Sequence, residues 1–93
     1  MKTRNEIIKD LENRLFILKL TKFEGPELEE CWGCIAGLES CIKKHKEGWT
    51  IEQFKEHLEE HTKKNEYGEY IDGFIGTLKR NIRDMERDGI GSK

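Results

Sequence analysis

Between Pro26 and Gly48 the chain has few options other than a single long helix, and this stretch constrains the rest. Proline suits the first turn, where its missing N–H leaves nothing unsatisfied, and Glu27, Glu29 and Glu30 meet the positive end of the helix dipole. Lys43, Lys44 and Lys46 sit at the other end, where positive charge is favoured, and Gly48 can supply the left-handed residue that stops the helix. At about 100° per residue, Leu28, Cys31, Trp32, Ile35, Leu38 and Ile42 fall on one apolar arc, with Cys34, Cys41 and His45 along its edge. Gly33 and Gly37 lie inside, away from that arc. Each costs about 1 kcal/mol relative to alanine, which invites either a kink or close approach by another backbone.

Three further helices are predicted around it. Thr3 caps the first, with Glu6 as its capping-box partner, and Ile7, Ile8, Leu11, Leu15 and Leu18 form its stripe. In LFILKL, Phe16, Ile17 and Leu20 fall off that stripe. They pack under the following loop, meet a second chain, or belong to a short strand. Thr50 and Gln53 form the capping box of a third helix, with Trp49 placed to staple onto Phe54 and with Ile51, Phe54, Leu58 and His61 on one face. Asn65 to Gly68 reads as a turn. The fourth helix carries Ile71, Phe74, Ile75, Leu78, Ile82 and Met85 in a narrow arc and stops at Gly89–Ile90. Helices over about 4–20, 27–46, 51–64 and 69–88 predict one all-α domain, 1–93, a small antiparallel bundle of three to four helices. Gly73 and Gly76 are a weak signal of close packing.

At 93 residues such a domain buries only about two-thirds of the surface its unfolded chain exposes, so self-association would help it. Charged residues are 39% of the chain, but the signs are interspersed and sum to −2. That describes a solvated helical surface rather than a polyanion binder. MKTRNEIIKDLE lacks an apolar h-region, no run approaches a membrane span, and three cysteines are an odd number for a disulfide framework. The expectation is a cytoplasmic chain with free thiols and no membrane partner.

Several chemistries can be weighed against these helices. Cys31, Cys34, Cys41 and His45 have the residue types of a zinc site, but Cys31 and His45 stand about 21 Å apart along one helix, far more than one ion spans. A better-posed zinc half-site pairs Cys41 and His45 with His57 and His61, each at i and i+4, if the second and third helices fold back near Gly48. The opposing reading is small-hydrophobe cysteine and hydrogen-bonded histidine. Cys31-Trp-Gly-Cys34 lies within a helix and outside any βαβ pattern, against a redox centre. His57 to His61 matches the H-x-x-E-H string of inverted zinc proteases over five residues, with no third ligand and no room for a cleft. Phosphate loops and nucleophile elbows are missing. Lys79, Arg80, Arg83 and Arg87 form a basic stripe, read first as solvated surface and second as a weak nucleic-acid contact.

No motif here can be assigned to a family. The reading is a non-enzymatic chain without cofactor that binds another protein or a second copy of itself: a regulator, adaptor or inhibitor, a type also found among phages and mobile elements. Its expected contact residues are the surplus apolar side chains Phe16, Ile17 and Leu20, with Tyr67 and Tyr70.

Overall fold

A computed structural model of the chain describes residues 2–64 and 66–91 and consists of four helices. They are α1 (Arg4–Leu20), α2 (Pro26–Lys46), α3 (Ile51–Lys63) and α4 (Glu69–Asp88). The local signals act as their chemistry dictates. Thr3 and Glu6 close one capping box, and Thr50 and Gln53 another. Pro26 opens α2. Gly48, at φ 81°, lets Trp49 N–H reach back to the Lys44 carbonyl. Gly89, at φ 66°, does the same for Ile90 and Met85. The Trp49 and Phe54 rings lie 5.4 Å apart, as a staple requires.

Packing joins α1 to α2, α2 to α4 and α3 to α4. The first and last pairs are antiparallel hairpins. Arg4 meets His45 while Leu18 meets Cys31, and Lys55 meets Glu86 while His61 meets Phe74. The hairpins are joined through α2 and α4, which run in the same direction: Gly33 lies against Tyr70, Gly37 against Thr77 and His45 against Asn81. Glycine makes this seam. A methyl group on Gly33 would fall onto the Tyr70 carbonyl oxygen, one on Gly73 onto the Glu30 carbonyl, and one on Gly37 within 2.9 Å of Thr77 Cβ. Of the two consequences expected for Gly33 and Gly37, the molecule takes close approach by another backbone.

The large buried side chains gather at one end of the bundle. Ile7, Leu11, Leu38, Cys41, Ile42, Ile51, Phe54, Leu78, Ile82, Met85 and Ile90 form one cluster there. It is the end that holds the start of α1 and α3 and the finish of α2 and α4. At the opposite end α2 and α4 meet mainly through glycine, and Ile71, Phe74 and Ile75 are only half-buried.

Three expectations change. Trp32, placed on the core arc by its angle, is 53% exposed, because the edge of α2 beside it is the glycine edge that α4 occupies. LFILKL is helical to Leu20, not a strand, and Phe16 and Leu20 do not pack under the loop: both stand in solvent. The fold-back of α2 on α3 does not form a packed helix pair, because α4 takes the place beside α2 and α3 lies on α4. Asn65, within the expected turn, lies outside the described residues. No helix among those described is long and apolar enough to cross a membrane.

Candidate functional site

The buried titratable groups are tied into the structure. His45, 1% exposed, accepts at Nδ1 from the Arg4 guanidinium (3.1 Å) and donates from Nε2 to Asn81 Oδ1 (2.8 Å). Arginine only donates, so this pairing selects the neutral Nε2–H tautomer. Asn81 in turn donates to Met85 Sδ at 3.6 Å. Burial pushes the His45 pKa below its ordinary value; the hydrogen bond to Asn81 opposes it in part, and the Arg4 charge adds a smaller push downward. Cys41 is fully buried and its thiol is pushed up to about 12. Cys31 donates its S–H to the Leu18 carbonyl and Cys34 to the Gly73 carbonyl, fastening α2 to α1 and to α4. All three thiols are free.

The Cys41, His45, His57 and His61 set is not gathered. Cys41 and His45 face the core beneath α2, whereas His57 and His61 stack at 4.7 Å on the α3–α4 seam, with Phe74 4.8 Å from His61. Among the described residues no group of three or more His, Cys, Asp or Glu side chains is placed to hold a metal ion. The cause is that α3 lies on α4 rather than along α2, and it is Phe54 of α3, at 4.9 Å, that meets the His45 ring. Burial, with Lys44 and His61 nearby, lowers the His57 pKa.

Lys79, Arg80, Arg83 and Arg87 are all exposed on α4. Acids interrupt the stripe: Arg87 pairs with Asp84 at 3.7 Å and with Asp88 at 3.3 Å.

The exposed large apolar side chains among the described residues are Phe16, Ile17, Leu20, Trp32, Tyr67 and Tyr70. Every one belongs to the half of the bundle away from the large core cluster. Phe16, Ile17 and Leu20 are 64%, 60% and 68% exposed over the last turns of α1, and Tyr67, at 87%, precedes α4. Sequence reasoning found five of the six. It missed Trp32, and only the glycine edge of α2 beside it could have signalled the change.

A cleft opens beside this end. Because α1 and α4 each pack on α2 and not on one another, two adjoining depressions of about 280 and 190 Å³ lie between them. Leu18, Cys34, Leu38 and Thr77 form the floor, and exposed Ile17 stands on the lip. Arg14 and Arg80 line both depressions, and Glu30 and Asp72 line the smaller one with them. Burial, and then the nearby Arg80 charge, push the Arg14 pKa below its ordinary value.

Comparison with protein-family models, with curated proteins and with solved structures found no match, so function has to be inferred from this geometry.

Proposed function

We propose that this chain works by binding another protein through the apolar end of the bundle, as a regulator, adaptor or inhibitor rather than a catalyst. One observation carries the reading: among the described residues, all six exposed large apolar side chains share the end that lacks the large core cluster. Scattered exposed hydrophobes are ordinary on a small domain, but a collection confined to one end leaves a surface that association would desolvate. Aromatic anchors such as Phe16, Trp32 and Tyr70 are the side chains that supply most binding energy at such surfaces. The internal groups support the same reading. His45 has both ring nitrogens engaged, and Cys41 is too buried to ionise near neutrality.

The test is capture from the cell of origin with purified wild-type chain and with Phe16→Glu/Ile17→Glu. Both side chains are exposed, so the double variant should keep its helical circular dichroism and lose no more than about 0.5 kcal/mol per substitution. It should fail to retain the proteins that the wild type retains. Equal retention by the two chains would sink the reading. Loss of helicity together with retention would return these residues to the core.

A further inference from the structure

Three features of the molecule stand outside the function proposed above: the basic stripe of α4, the cleft between α1 and α4, and the stacked His57–His61 pair. The stripe is broken by its own acids. The cleft carries arginines and acids together and selects no occupant. Among the described residues the histidine pair gathers no third metal ligand, but it holds the one buried side-chain nitrogen or oxygen that has no hydrogen-bond partner, Nε2 of His57.

The helix that carries this nitrogen is held unevenly. The first half of α3 is anchored by the Thr50–Gln53 capping box, by buried Ile51 and Phe54, and by the bond from Ile51 N–H to the Gly91 carbonyl. In the second half His57, Leu58 and His61 are only half-buried, and Glu59, Glu60, Thr62 and Lys63 are exposed. Among the helices α3 packs on α4 alone. This half therefore rests on Leu58 and on two imidazoles set against Phe74, whose ring lies 6.4 Å from His57 and 4.8 Å from His61.

A positive charge on His57 has no counterpart in that setting. An imidazolium donates from both nitrogens, and buried Nε2 has nothing to donate to. The Trp49 ring lies 5.8 Å away, but it already carries the Lys44 ammonium at 5.0 Å, so a second cation there meets like charge. Lys44 from α2, His61 from the next turn of α3 and Lys64 beyond it oppose a proton on His57; Glu60 favours one, and α4 faces the ring with Phe74. On the His61 side, Glu66 and the α4 residues Asp72 and Lys79 line a depression of about 420 Å³ together with Ile71 and Ile75. Burial and then these charges hold the His57 pKa below its ordinary value, whereas a ring released to water titrates near 6.5.

We propose that residues 57–63 form a proton-operated flap: as pH falls His57 takes up a proton, the second half of α3 leaves α4, and Phe74, Ile71 and Ile75 join the exposed apolar end already marked by Tyr67 and Tyr70. The first half stays in place, since Ile51, Phe54 and the capping box hold no titrating group. Opening so lightly held a segment costs less than unfolding the core. One proton per opening moves the equilibrium toward the open form by up to about tenfold for each pH unit below about 6.5. What the uncovered surface serves rests on the partner reading above; the opening itself does not.

The test is backbone NMR of the full chain in a series between pH 7.5 and pH 5. Carbon secondary shifts and heteronuclear NOEs of residues 57–63 should lose their helical, rigid values together, while those of residues 51–54 and 78–85 keep theirs. The midpoint should coincide with the titration of the His57 ring, followed by its own carbon-bound protons. His57→Phe keeps an aromatic ring against Phe74 and takes up no proton, so it should lower the open population at pH 5 about tenfold. A segment that stays helical at pH 5 overturns the proposal. So does a change out of step with the His57 titration, one that spreads to all four helices at once, or a His57→Phe chain that opens like the wild type. Should that variant fail to fold, the agreement or disagreement of the two wild-type titrations decides. No partner enters this measurement, so the flap can fail while capture through Phe16 and Ile17 stands. A chain that opens as described but retains no cellular protein through those residues loses the partner reading and keeps the flap.

Discussion

His45 shows how a single side chain can set the pH range of the whole fold. Its folded pKa is depressed while the unfolded value stays near 6.5, so below that pH the unfolded chain takes up a proton that the native chain refuses. The stability involved is fully present above about pH 6.5 and is lost as pH falls toward the folded pKa, at up to about 1.4 kcal/mol per pH unit. Protonation would place an N–H at Nδ1 against the Arg4 guanidinium, so no rearrangement of the proton alone relieves the cost. Denaturant unfolding between pH 5 and pH 7 should therefore show a steeper pH dependence for the wild type than for His45→Gln. The slope that remains belongs to His57, whose pKa is lowered in the same direction. Identical slopes in the two chains would contradict this assignment. At this scale the sequence was half legible. An i, i+4 Cys41–His45 pair on a helix margin looks the same whether it binds zinc or packs. The choice was made by Asn81 and Arg4, which lie 36 and 41 positions away in the chain.

Among the elements, α2 and α4 depend on backbone contact. Their seam needs hydrogen at Gly33, Gly37 and Gly73, so Gly33→Ala must move one helix relative to the other and should destabilise by about 3 kcal/mol. Gly76 provides the contrast: it is helical and exposed, and an added methyl would meet nothing within 4 Å. Gly76→Ala should stabilise the protein by about 0.5–1 kcal/mol through helix propensity alone. Thermal unfolding of both variants checks the pair, and a mild effect at Gly33 would mean that the seam tolerates a side chain after all. Helix boundaries were readable because caps and stops are local chemistry: Thr3 with Glu6, Pro26, Thr50 with Gln53, and Gly89. The pairing of helices was not. Gly33 and Gly37 announced a close neighbour, but nothing near them in sequence said that it would be α4 rather than α3, and the expected α2–α3 fold-back failed on that point.

At the scale of the molecule, the decisive property is uneven burial. Ile7, Leu38, Phe54 and Met85 lie at the packed end, and Phe16, Leu20, Trp32 and Tyr70 at the other. Apolar periodicity identified most of these residues as surplus or core, but it gives each helix a stripe without saying how far along its length the stripe is covered. Covering depends on the parallel seam, which lets Phe54 of α3, and Trp49 just before that helix, fill the space at one end only. The unevenness also has a rhythm in time. Amides open to solvent most often where few side chains must separate to free them, and least often where opening requires breaking the core. Backbone protons of residues 16–20 should exchange orders of magnitude faster than those of Leu38, Cys41, Asn81 and Met85. Uniform exchange along α1 would deny the gradient. Under the function proposed above, the bundle would meet its partner with its most yielding end, and part of the affinity would be spent on quieting a helix that breathes when alone.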